Sequence, residues 1–300
     1  PPMPPSPAQE YRIAHWQAEV SADFEENFSV FQQALEKLGP DRIDILSFPE
    51  CFLNGYYQNE EDTRKAALSL NSKEIGRVVA ATEKHACSIV VGVNEQRGDL
   101  LFNTALVLRG GKLLGTYSKC TAYMPFHERG TVFPVFEHDN LRFGVLICSD
   151  GGYIEPARIL ALKGAALIVA PHYNYVTKEA LMNHYLGVRN DHRARATENS
   201  IWFLRANNVV SGRDEKFAID GVGYGDSYLV DPRGEIIAQT QLHTQGPLIA
   251  TLRTPDSPPT LRRSFLSSAL LKDTWLDAFQ NAVSSPEEKE FLRINSPSPL

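Results

Sequence analysis

Long apolar runs are missing from this chain of 300 residues: no stretch approaches the ~20 consecutive apolar residues that a membrane-spanning helix requires. The opening residues Pro1-Pro2-Met3-Pro4-Pro5 also lack the hydrophobic centre of a secretory signal. Cysteine is scarce. Cys51, Cys87, Cys120 and Cys148 are scattered without a C-x-x-C spacing, so a disulfide framework is not indicated and a reducing, cytoplasmic setting is expected. The 8 histidines form no H-E-x-x-H and no Cys/His knuckle, which leaves no metal site to expect. A G-x-S-x-G elbow, a phosphate loop and a G-x-G-x-x-G fingerprint are absent too, and no cofactor is expected. Basic charge is in short supply: 30 Lys and Arg against 36 Asp and Glu give a net charge of -6, which argues against nucleic acid as a partner. The densest basic run, Arg189 to Arg195, carries Asp191 and is followed by Glu198, as on a salt-bridged helix face.

What is present suits a soluble globular protein. A composition 43% hydrophobic and 22% charged supplies ample core for one large domain or two small ones. The chain is organised around Leu141 to Glu155. Phe143 to Ile147 is apolar without alternation, as in a strand covered on both faces, and Cys148 ends it. Gly151-Gly152 allows a sharp turn, and Ile154 to Lys163 reads as a helix stopped by Gly164. Such an elbow exposes a thiol, aims backbone N–H groups at a ligand and brings a positive helix end near, favouring thiolate. A cysteine after an apolar strand is, taken alone, ordinarily a small buried hydrophobe, so other residues must decide.

Residues 1–10 form a Pro-rich lead, 11–255 a single domain, and 256–300 a tail that packs on the domain or on a partner subunit, with one helix-like piece from Phe265 to Val283. Within the domain, Phe24, Phe28, Phe31, Leu35 and Leu38 make one helical stripe between Asp23 and Gly39-Pro40. Ser72 to His85 reads as a second helix, and Lys178 to Asn199 as mostly helix. Ile43 to Phe48, Ser88 to Val93, Leu167 to Ala170 and Ile201 to Ala206 read as strands, and Gly110-Gly111 joins a hairpin. Strands alternating with helices and interrupted by hairpins imply an α/β fold with mixed sheets and helices outside.

Glu50, Lys119 and Cys148 each stand at or just beyond the end of an apolar strand, the edge at which α/β sheets bind ligands. Singly, Glu50 and Lys119 read as solvated charges. Together with an elbow cysteine they have a chemical rationale: a carboxylate takes the thiol proton, and an ammonium with the Ser149 N–H holds the oxyanion. Cys51 and Cys120 abut these residues, and the alternation of extended backbone turns their side chains away. A rival pairs Cys148 with His127 or His172, and a non-catalytic rival uses an inert elbow to bind a metabolite. Tyr56, Tyr57, Tyr153, His172 and Asn174 are candidates for a pocket wall, and Asp150 reads as a turn residue.

Phe48-Pro49-Glu50, Tyr117-Ser118-Lys119, Glu128-Arg129-Gly130, Gly144 to Asp150 with Glu155, Arg193 to Asn199 and the turn Asp231-Pro232-Arg233-Gly234 occur in an order that resembles the nitrilase superfamily of carbon-nitrogen hydrolases, from about Tyr11 to Leu252. The resemblance implies a four-layer α-β-β-α sandwich whose subunits pair into a homodimer or a larger homo-oligomer. It implies that Glu50 is general base, Lys119 oxyanion stabiliser, Cys148 nucleophile and Glu128 a second glutamate positioning substrate and lysine. The implied reaction splits a small amide into acid and ammonia or amine through a thioester, with N-carbamoyl compounds or nitriles as alternative substrates. Gly152 stands where many members carry an arginine, which weakens the case for a substrate carboxylate there. Cys148-Ser149-Asp150 differs from the Cys-Trp-Glu of true nitrilases, and Asp150-Gly151-Gly152-Tyr153 looks more like the aliphatic amidases.

Overall fold

The computed structural model describes residues 9–254 together with Thr274, Leu276 and Asp277. The chain divides into a unit of residues 1–257 and a second of 258–300. In the second, the described residues are helical, and the rest of the expected helix from Phe265 to Val283 lies outside the described residues. The strands of the first unit are β1 (Gln9–Gln17), β2 (Ile45–Ser47), β3 (Ser88–Arg97), β4 (Leu100–Arg109), β5 (Lys112–Ser118), β6 (Val135–His138), β7 (Leu141–Val145), β8 (Leu167–Pro171), β9 (Val176–Thr177), β10 (Trp202–Ala206), β11 (Val209–Val210), β12 (Gly221–Tyr224), β13 (Tyr228–Val230), β14 (Ile236–Gln239) and β15 (Gly246–Thr254). Its helices are α1 (Phe24–Leu38), α2 (Glu60–Ala66), α3 (Lys73–Ala81), α4 (Ile154–Leu162) and α5 (Leu181–Asn199). β1 thus begins two residues inside the expected lead.

Local chemistry sets several boundaries. The Asp23 carboxylate accepts from the N–H groups of Glu25 at 2.6 Å and Glu26 at 3.2 Å, capping α1, whose Phe28, Phe31, Leu35 and Leu38 are buried along one stripe. Ser72 caps α3 through the Ile75 N–H at 3.3 Å. Gly110 and Gly111 both take positive φ, 54° and 74°, as a two-residue turn between antiparallel strands demands.

Two six-stranded mixed sheets carry the fold, ordered β15-β1-β2-β3-β4-β5 and β14-β13-β10-β8-β7-β6, beside a small sheet β11-β12-β9. Each large sheet has three parallel strands at its centre, β1-β2-β3 and β7-β8-β10, with antiparallel neighbours outside them. The period-two alternation of the first sheet divides its residues between two cores. Ile13, Ile45, Val90, Ala105 and Val107 pack with Phe143, Val145, Leu167 and Leu204 of the second sheet. Ala14, Leu46, Ile89, Val91, Leu106 and Leu108 face the opposite way, against Phe28, Phe31, Leu35 and Val78 of α1 and α3. Ala157, Leu160 and Ala161 of α4 cover the second sheet. The layers therefore run α-β-β-α, and both sheets are buried on both faces, which is why β8 and the stretch from Phe143 to Ile147 read as unbroken apolar runs.

Candidate active site

Glu50 sits in the turn after β2 and is fully buried. Its carboxylate accepts three hydrogen bonds: Oε1 from Lys119 Nζ at 2.7 Å and Asn103 Nδ2 at 2.7 Å, and Oε2 from the Tyr173 N–H at 2.8 Å, which leaves Oε2 room for one more. Three separate segments thus fix one carboxylate. The Glu50 turn lies directly on β3, because Gly92 has no side chain there: a Cβ on residue 92 would come within 2.4 Å of the Cys51 nitrogen and 2.7 Å of the Pro49 oxygen. Lys119 follows β5. Its N–H donates to the Asn103 oxygen at 2.8 Å and its oxygen accepts from Gly130 N–H at 2.8 Å, where any side chain on Gly130 would overlap the Ser118 carbonyl. Burial alone would pull the ammonium down, but Glu50, Cys148 and Asp150 outweigh it and hold the Lys119 pKa above its ordinary value, so the side chain stays charged.

The elbow differs from its sequence expectation. A short 3-10 turn, Cys148–Gly152, intervenes before α4, and the left-handed angle falls on Cys148 itself, φ 47°, rather than on the glycines. Such an angle on a non-glycine residue costs on the order of 1–3 kcal/mol and must be held by its surroundings. Asp150 does this. Its buried carboxylate accepts from the Ile147 N–H at 3.0 Å within the elbow, and from Tyr117 Oη at 2.7 Å, Thr121 N at 2.8 Å, Thr121 Oγ1 at 2.6 Å and Cys120 Sγ at 3.2 Å on the Lys119 side. One side chain therefore ties the segment bearing Cys148 to the segment bearing Lys119. Gly151 is needed for space, since a Cβ there would lie 3.0 Å from His192 Nε2.

Cys148 and Lys119 line one cavity of about 260 Å³. One wall is a stack of near-parallel rings, with Tyr56 and Tyr173 at 4.7 Å and Tyr173 and Phe217 at 5.8 Å between centroids. Histidines 172, 184 and 192 form another part of its wall. Burial, reinforced by Arg205 in each case, pushes all three below the ordinary imidazole range, His184 to about 4, so this wall is uncharged at neutral pH. Cys148 is pushed up to about 12, by burial first and then by the Glu50 charge, which together exceed the opposing pull of Lys119 and Arg205. The helix end does not make it a thiolate. It rests as a thiol and needs a base at the moment of reaction.

The structure places the other expected residues as follows. Ser149 lines the cavity, its hydroxyl paired with Thr121 Oγ1 at 2.9 Å. Glu128 is not brought to the cluster: its side chain is exposed and outside the cavity wall, because the loop turns His127 inward instead, Nε2 at 3.2 Å from Asn94 Oδ1. Tyr56, His172 and Asn174 line the cavity, whereas Tyr57 and Tyr153 do not. Cys51 and Cys120 point away, toward Asn94 at 3.4 Å and Asp150, though Cys51 does so from a turn with φ 51° and not from extended backbone. The basic run is salt-bridged as expected, Arg189 to Asp226 and Arg195 to Glu198. Sequence reasoning missed Asn103 and Arg205, both buried within strands. Their signal was available: a polar residue inside Leu-Leu-Phe-Asn-Thr-Ala-Leu and a charged one inside Ile-Trp-Phe-Leu-Arg-Ala each demand a buried partner. Among the described residues no group of three or more His, Cys, Asp or Glu is arranged to hold a metal ion.

The model of the family described as carbon-nitrogen hydrolase matches residues 12–257. A probable nitrilase of Schizosaccharomyces pombe is 26% identical over 257 residues, covering 80% of this chain and 86% of its own. An omega-amidase of Saccharomyces cerevisiae is 28% identical over 232 residues, covering 70% and 75%. Among solved structures, a carbon-nitrogen hydrolase from Helicobacter pylori G27 superposes with a TM-score of 0.76 at 20% identity, covering 92% of this chain and 99% of that one. The amidase from Nesterenkonia sp. AN1, a nitrilase-superfamily protein, superposes at 0.73 with 21% identity, covering 88% and 97%. With the fold, the matched span and the relatives in agreement, the chain belongs to the carbon-nitrogen hydrolase family.

Proposed function

We propose that the protein hydrolyses a small non-peptide amide to its acid and ammonia or amine through an acyl-thioester on Cys148. The observation that carries the reading is the buried Glu50–Lys119 ion pair, 2.7 Å, at the cavity that Cys148 lines. In the first step the thiol proton passes to Glu50 while the sulfur attacks the amide carbon, and the charge that develops on oxygen is held by the Lys119 ammonium and the Ser149 N–H. The C–N bond then breaks, the departing nitrogen taking the proton from Glu50. Water, deprotonated by Glu50, attacks the thioester, and the acid leaves as the proton returns to sulfur. In a mutant Nesterenkonia amidase the active-site cysteine bears the acetamide moiety of fluoroacetamide, so the sulfur of that protein is nucleophilic.

The acyl group is small and carries no negative charge. Asp191 lines the cavity, and its Oδ2 lies 3.7 Å from where a Cβ on Gly152 would stand. A substrate carboxylate would meet like charge there. The test is ammonia release from a panel of neutral amides, dicarboxylic monoamides, carbamoyl amines and nitriles. Neutral amides should lead it, and Cys148→Ala and Lys119→Ala should each abolish release while keeping the fold. Normal turnover in either folded variant rejects the reading.

Two further expectations join it. Exposed Ile154, Ile159 and Leu162 on α4 with Met182 and Leu186 on α5 offer an apolar face for pairing into a homodimer or larger homo-oligomer, measurable by light scattering. Four free thiols fit a reducing, cytoplasmic setting.

A further inference from the structure

Behind the cavity wall lies a fully buried guanidinium, Arg205 on β10. Its partners are the carbonyls of Gly225 at 3.0 Å and Asp226, the Tyr224 hydroxyl at 3.2 Å, and Asn174 Oδ1. The carboxylate nearest to it, Asp226 Oδ2 at 3.5 Å, also accepts from Arg189 Nε at 3.0 Å. Two guanidinium groups share one carboxylate, so one positive charge is left without a counter-ion in this cluster. Burying an ion on those terms is unfavourable, and a small apolar residue would fill a central strand more simply. Arg205 therefore has a task beyond packing.

The task is visible at Asn174. A guanidinium only donates hydrogen bonds, so the Asn174 atom facing it must be the amide oxygen, and the orientation of this side chain is fixed by chemistry. Its Nδ2 then faces the Tyr173 carbonyl at 3.1 Å and Cys148 Sγ at 3.8 Å, and its backbone N–H is held by Asn208 Oδ1 at 2.7 Å. We propose that Asn174 is a further catalytic residue of this site, donating to the Cys148 sulfur as it becomes anionic, and that Arg205 is the positioning residue that locks the Asn174 amide in that orientation. The inference rests on the reading of Cys148 as nucleophile. No bond is made or broken at Asn174: the thiol proton goes to Glu50, and Asn174 contributes a hydrogen bond that strengthens as charge builds on sulfur.

The charges around that sulfur come from several elements. Glu50, Cys51 and Tyr56 follow β2, Lys119 follows β5, and His172 follows β8. Arg205 and Tyr224 stand behind Asn174, and His184 and His192 reach in from α5. Glu50 opposes the thiolate and Lys119 and Arg205 favour it. Removing Asn174 or Arg205 shifts the balance the same way, toward the thiol.

The full chain tests this through the rate at which iodoacetamide labels Cys148, at one pH well below the thiol's own range, and through kcat and KM on propionamide. Asn174→Ala should label roughly tenfold more slowly, the effect of about one pKa unit, with a like fall in kcat and KM changed less than about twofold. Arg205→Met should do at least as much. The double variant should be no slower than Arg205→Met alone, because Asn174 without Arg205 is free to turn. Arg205→Lys, which keeps the charge and loses the fork, should fall between wild type and Arg205→Met, and it stands in for Arg205→Met if that variant does not fold. Wild-type labelling and kcat in folded Asn174→Ala, or losses that simply multiply in the double variant, overturn the inference. Cys148-dependent turnover that persists unchanged in these variants would sink this inference alone. Turnover that survives Cys148→Ala would sink the proposed function instead.

Discussion

A glutamate and an aspartate locate most of the chemistry at the scale of single residues. Glu50, Lys119 and Cys148 were legible because strand ends are readable and because their types have a joint use. The residues that hold them were less so, since their roles depend on which loops meet. Asp150 is the clearest case: in the sequence it is a turn residue, and in the fold it is the acceptor for five donors from two segments. Asp150→Asn replaces one acceptor oxygen with a donor among donors, and should cost about 2–4 kcal/mol of stability in denaturant melts and lower kcat more than it raises KM. Glu128 runs the other way. Its motif suggested a place beside the substrate, yet its side chain is exposed, so Glu128→Gln should keep kcat/KM within about twofold of wild type. The helix start favours a thiolate, and the larger opposing effect, desolvation, shows only in the fold.

Among elements, the long apolar strands and capped helices were readable from pattern alone, α1 and α3 most of all. α2, with only Thr63 buried, and the two-residue strands β9 and β11 carry too little periodicity to be seen. Close approaches between elements were invisible for a different reason: a glycine within an apolar strand shows no partner until the turn that lies on it is known. Gly92 on β3 makes room for the Glu50 turn. Gly92→Ala should therefore cost about 3 kcal/mol or more and lower kcat roughly a hundredfold by displacing the carboxylate, measured by thermal melts alongside steady-state kinetics. Wild-type activity in that variant would mean that the Glu50 turn does not depend on its contact with β3.

At the scale of the whole molecule, the buried histidines set a pH response. His127 is pushed down to about 4 by burial and then by Lys119, and His172 and His192 fall well below the ordinary value. In each the folded pKa lies beneath the unfolded one, about 6.5, so their stabilisation is complete above that pH and is lost as pH falls toward the folded value. His127 alone should cost up to about 3 kcal/mol by pH 4. The melting temperature should be flat above about pH 7 and drop steeply between about pH 6.5 and 4. A flat profile through that window would show these rings to be solvated. The alternation of elements read only as an α/β class, and the four-layer order came from the family resemblance; it is borne out by neighbouring residues of one strand that face different cores.

The central claim is that Cys148 carries the acyl group of a small amide, with Glu50 needed both to form that thioester and to release it. Intact-mass and peptide-mapping spectrometry of the wild-type chain, acid-quenched during turnover of a small neutral amide, tests this directly. The account predicts a single acyl adduct on Cys148 that Glu50→Gln forms far more slowly and that Cys148→Ala never forms. An adduct on Cys51, Cys87 or Cys120 instead, or wild-type turnover by Glu50→Gln, would contradict it.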